Sequence, residues 1–106
     1  MVQPSNEPAP SVAPPRRPVE RVDEVLRERP KTHGEYSEVA LLSQGFKFVA
    51  QSHKNWRALS SDKRETVDQI LHKLSRIICG DPEFPDHWDD IIGYAKLTRD
   101  RLKVPG

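Results

Sequence analysis

Apolar residues recur along this chain with the period of a helix, and the clearest run lies in its second half. Val67, Ile70, Leu71, Leu74, Ile77 and Ile78 form one unbroken stripe on one helical face. Ser60, Ser61 or Asp62 can cap the start of that helix, with Asp62 and Glu65 spaced as a capping box. Gly80 stands at its end, where a left-handed residue is wanted. Earlier, Val19, Val22, Val25 and Leu26 keep the same period; Pro18 suits a first turn and Pro30 stops the helix. Lys31 to Gly34 reads as a connection, Gly34 being free to take a positive φ.

A further helix is expected from Tyr36 to about Ser52. Val39, Leu42, Phe46 and Val49 make one stripe in it, while Leu41 and Phe48 lie off that stripe. A helix apolar on two sides should be sandwiched, between other helices or in an oligomer interface such as a homodimer. Gly45 inside it costs helix stability and marks a point of close packing. His53 to Ser60 is a loop anchored by Trp56. After a turn at Asp81–Pro85, a last helix opens at Pro85 or Asp86, with Trp88, Ile91, Ile92, Ala95 and Leu102 as its core side. Asp86, Asp89 and Asp90 in its first turns and Arg99, Arg101 and Lys103 at its end suit the backbone dipole. No segment alternates as a strand does. The expected fold is all-α, a small antiparallel bundle of about four helices over residues 19–103.

Composition adds the tail. Residues 1–18 hold six of the ten prolines and no aromatic residue, too little apolar surface to offset the entropy of ordering, so a disordered proline-rich tail is expected. The whole chain of 106 residues is 31% charged with a formal net charge of +1. That balance argues against nucleic acid as a partner, and Lys47, Lys54 and Arg57 are too few to change it. A single cysteine, Cys79, excludes an intrachain disulfide framework and fits a reducing compartment. No apolar run is long enough to span a membrane, and a cytoplasmic location is expected.

Candidate chemistry sits on polar faces. There is no phosphate-cradling glycine loop, cysteine pair or serine elbow. Asp86 and Asp90, four apart, project from one helical face, with Tyr94 and Leu97 roughly continuing it. They could share a hard divalent cation such as Mg²⁺, or simply answer the helix dipole. Lys73 and Arg76 could take a phosphate, or pair with those aspartates as structural ion pairs. His72 and His87 read as surface or packing groups. His33-Gly34-Glu35-Tyr36 is an unusual cluster for a linker and could face a ligand or cap the following helix.

The runs His33-Gly34-Glu35-Tyr36, Asp68 to Ile77, Gly80-Asp81 and Asp86 to Tyr94 together resemble a small domain of unknown function found in phages and prophages. The resemblance spans roughly residues 25–98. More distantly, Asp90 to Tyr94 is similar to the acid-then-tyrosine helix of MazG-like all-α nucleotide pyrophosphohydrolases, which use magnesium held by two acidic pairs to cleave nucleoside triphosphates. That resemblance implies a first pair at Glu35 and Glu38, and a second either at Glu65 and Asp68 or at Asp86 and Asp90. On this expectation Glu35, Glu38, Asp86 and Asp90 hold Mg²⁺, while His33, Glu35, Lys73, Arg76 and Tyr94 contact a nucleotide. The other expectation is a non-catalytic protein–protein interaction module.

Overall fold

In the computed structural model, which describes residues 18–105, every regular element is helical. The expected disordered tail lies outside the described residues, apart from Pro18. The elements are α1 (Pro18–Glu28), α2 (Pro30–His33), α3 (Tyr36–Gln51), a 3-10 turn at Trp56–Ala58, α4 (Ser61–Cys79) and α5 (Pro85–Arg99). The stretch expected as a plain connection after Pro30 is instead the single helical turn α2. Proline lacks an N–H and has its φ preset, so it ends α1 and opens α2 at the same point.

α4 is the middle element, packed on α3 and on α5. Its α5 side is read from two pairs: Thr98 Oγ1 donates to Thr66 Oγ1 (2.6 Å), and Lys73 Nζ meets Asp90 Oδ2 at 3.0 Å. As one partner advances along α4 the other retreats along α5, so the two helices are antiparallel. On the other side Ser43 faces His72 (3.1 Å) while Gly34, before α3, lies against Cys79 at the end of α4. α3 and α4 are therefore antiparallel as well. The result is a small all-α bundle whose core is thin. Val39 and Ile77 are the large apolar side chains that become buried among the described residues.

The last helix is rotated from its expected setting. His87, Ile91, Tyr94 and Thr98 are buried or half-buried, whereas Trp88, Ile92 and Ala95 are exposed, Ile92 by 63%. Leu102 falls beyond the end of α5. The physical reason is a polar anchor that outweighs an apolar stripe: His87 is 1% exposed and its Nε2–H donates to the Thr32 carbonyl oxygen at 2.8 Å. Trp88 is left at the edge, where its Nε1–H donates to Pro82 O at 2.8 Å. A buried hydrogen bond fixes which face turns inward, because a buried unpaired polar ring costs more than an exposed isoleucine.

The end of α4 also differs from expectation. Gly80 has φ −112°, not a left-handed value. It is glycine for want of space: a Cβ there would collide with the Thr32 carbonyl and with Gly34 N. Thr32 O accepts from both Asp81 N–H (3.0 Å) and His87, so α2, the α4–α5 turn and α5 are tied at one atom. Gly34 does take the expected positive φ, 85°, and lies close against Cys79. His33 and Phe84 stack edgewise on His87 over the same junction, at ring distances of 4.8 and 4.9 Å.

Candidate functional site

Where α1 gives way to α2, Leu26, Arg29 and Pro30 overhang the seam between α3 and α4. The space beneath them is a groove of about 420 Å³, within the range that holds small ligands. α3 lines it with Tyr36, Ala40, Ser43 and Lys47, spaced so that they fall on one helical face, and α4 with His72 and Arg76, one turn apart. Val39 and Leu26 supply apolar wall, and Tyr36 stands exposed at the rim.

The charge in this groove has one sign. Arg29, Lys47 and Arg76 all line it, and no aspartate or glutamate does. None of the three side chains has an ion-pair or hydrogen-bond partner among the described residues. Burial holds Arg76 below its usual pKa, and the neighbouring charge of Arg29 adds to the effect while Asp90 opposes it. Burial likewise lowers His72, to about 4, with Arg76, Lys47, Lys73 and Arg29 pushing the same way. At neutral pH His72 is therefore an uncharged ring, hydrogen-bonded through Nδ1 to the buried Ser43 hydroxyl. Half-buried Lys47 and Arg76 beside the exposed Arg29, with no carboxylate lining the groove, favour an anion there.

A larger hollow, about 680 Å³, lies along α1 and α2, but residues 24–33 alone line it and its charges are mixed, Glu24 and Glu28 beside Arg27 and Lys31. Among the described residues no third element closes over it, and the smaller groove is the better-built site.

Ser43 and His72 are no hydrolytic pair. Asp68, one turn before His72, keeps a buried Oδ1 with no hydrogen-bond partner, so it does not orient the imidazole. Ser43 itself, though it lines the groove, is 1% exposed.

The expected site residues divide into three places. His33 and Arg76 line the groove. Glu35 is spent on local structure: as N-cap of α3 its Oε1 accepts from the N–H groups of Ser37 (3.1 Å) and Glu38 (3.3 Å) and from the Ser37 hydroxyl. Its carboxyl is held below the usual range chiefly by that hydroxyl. Lys73 is engaged by Asp90 as a structural ion pair. Tyr94 is half-buried on α5, beside a shallow hollow with Asp89, Asp90 and Leu97 rather than at the groove.

The carboxylates do not fit a magnesium centre. Glu38 and Asp86 are exposed, Glu35 caps a helix and Asp90 is paired. In the alternative second pair, Glu65 accepts from Gln69 Nε2 (2.9 Å) while the buried oxygen of Asp68 stands alone. Among the described residues no three His, Cys, Asp or Glu side chains come together as a metal would require.

Sequence reasoning passed over Arg29, Lys47 and His72 as site residues, and reached Tyr36 only within the His33 to Tyr36 cluster. For Tyr36 and Lys47 a signal existed, since with Ala40 and Ser43 they make a mixed polar stripe beside the Val39 core stripe. Arg29 gave none, because its place depends on the break at Pro30. Compared with known protein families, with curated proteins and with solved structures, the chain matches none.

Proposed function

We propose that this chain binds a nucleotide, or a similarly phosphorylated ring compound, in the groove between α2, α3 and α4. The observation that carries the proposal is the convergence of Arg29, Lys47 and Arg76, without acid partners, on a ligand-sized groove that contains no carboxylate. Arginine offers a planar fork of donors matched to phosphate oxygens, and lysine adds a point charge. Leu26, Val39 and Ala40 give the apolar contact that a phosphate alone would not need, and Tyr36 at the rim can stack on a ring. The likeness of Asp90 to Tyr94 to the acid-then-tyrosine helix of MazG-like enzymes, which act on nucleoside triphosphates, favours a nucleotide among phosphorylated ligands. Pyrophosphate release by a magnesium centre is not part of the proposal, because the acids such a centre needs lie away from the groove.

Binding is tested by calorimetry with ATP, adenosine and inorganic phosphate at low ionic strength, without magnesium. ATP should bind and adenosine should bind far more weakly. Arg76→Met should weaken ATP binding by about tenfold or more, the loss of one charge-assisted contact. Equal affinity of the variant and the parent for ATP would overturn the assignment.

The interaction-module reading has one observation of its own in its favour, the uncovered outer face of α3.

A further inference from the structure

α3 turns Val39 and Ser43 toward α4, yet its opposite face is also apolar. Leu41, Phe48 and Val49 are 79%, 76% and 68% exposed, with the exposed Gly45 in their midst. A glycine in a helix interior lowers helix stability and is kept where another backbone comes close. Among the described residues nothing comes close: a Cβ built on Gly45 would have no atom within 4 Å. Gly45 leaves room on this face for another backbone to come close.

We infer that this face is a self-association surface, on which α3 packs antiparallel against α3 of a second copy across a two-fold axis at Gly45. Two features of this face favour a second copy over another occupant. The first is symmetry. Leu41 lies four residues before Gly45 and Val49 four after it, so an axis through Gly45 sets Leu41 of each copy against Val49 of the other, which is what an isologous contact demands. The second is charge. From Leu41 to Ser52 the exposed residues of α3 are uncharged, Lys47 being half-buried on the groove side, in a chain that is 31% charged. A surface that meets itself must avoid setting like charges opposite one another. The acid nearest the contact, Glu38, would face Ser52 of the other copy rather than a second glutamate. By contrast, the apolar stripe of α1, the other candidate occupant, is bordered by Arg21, Asp23 and Glu24, for which this face offers no charged partners.

The thin core fits the same account, since burying Leu41, Phe48 and Val49 would add to what Val39 and Ile77 bury alone. α3 is 16 residues long, about 24 Å at 1.5 Å per residue. One such helix pair buries less than the roughly 800 Å² per partner of a tight complex, so association is reversible and concentration-dependent. This surface lies on the side of α3 away from the groove, and the inference does not rest on nucleotide binding.

The test is sedimentation of the full chain across concentrations from about 10 µM to about 1 mM, the range in which an interface of this size acts. The parent should shift from monomer toward dimer, and Phe48→Glu should remain monomeric with unchanged helical circular dichroism. Register is read by mild oxidation of Leu41→Cys mixed with Val49→Cys, each in a Cys79→Ala background. The mixture should cross-link at least several-fold more than Leu41→Cys alone, whose cysteines an antiparallel pairing holds apart. A parent that stays monomeric throughout, a Phe48→Glu protein that associates like the parent, or equal cross-linking in all pairings would each overturn the inference.

Discussion

His87 donates its Nε2–H to the carbonyl oxygen of Thr32 across 2.8 Å, and that oxygen also accepts the Asp81 amide. One backbone atom of α2 thus holds the α4–α5 turn and the first turn of α5. His87→Ala should destabilise the fold by about 2–4 kcal/mol, through a cavity and a lost buried hydrogen bond. Urea unfolding measures it. A loss under about 0.5 kcal/mol, the level of an ordinary surface change, would show that the junction is not the anchor.

Gly80 makes a steric prediction at the same place. Gly80→Ala puts a methyl group into the Thr32 carbonyl and Gly34 backbone, which can yield only by moving α2. Its cost should be about 1–3 kcal/mol, whereas Gly93→Ala, with open space around it, should be neutral or stabilising. Thermal melts of the two variants side by side decide it.

Arg76 separates stability from binding. It is half-buried, unpaired and crowded by Arg29, so Arg76→Met should leave stability unchanged or raise it by about 0.5–1 kcal/mol while weakening ATP binding. A variant that unfolds more easily than the parent would mean that Arg76 serves the fold instead.

Acid should loosen the fold before the carboxylates titrate. Burial first, and then the groove cations, bring His72 down from 6.5 to about 4, and burial lowers His33 in the same direction. The unfolded chain therefore takes up protons first as pH falls. Stability that is full above about 6.5 declines as pH drops from there toward 4, a window above the carboxylate range. The urea midpoint should be lower at about pH 5 than at about pH 7.5, and Arg76→Met should raise the His72 pKa. A midpoint unchanged between those pH values would contradict the charge account of the groove.

Much of the helical frame was legible because it rests on local signals. Pro18, Pro30 and Pro85 sit where helices start or stop, and the Val67 to Ile78 stripe lies within α4. Gly34 was legible as a positive-φ position for the same reason. The setting of α5 was not, since its apolar stripe loses to a hydrogen bond between His87 and Thr32, 55 residues apart. The groove was half legible. Arg76 and His33 were named from the sequence, but Arg29 and Lys47 join them only through the turn at Pro30 and the antiparallel register of α3 on α4. Lys73 and Asp90 drew attention as candidate ligands, and they found each other.

The measurement that reaches the central claim most directly is a ¹⁵N–¹H NMR titration of the full chain with ATP at low salt. Shifts gathered at Arg29, Tyr36, Ser43, Lys47, His72 and Arg76, with Lys73, Asp86, Asp90 and Tyr94 undisturbed, are the predicted result. Shifts centred instead on the α5 acids and Tyr94, or none at millimolar ATP, would contradict it.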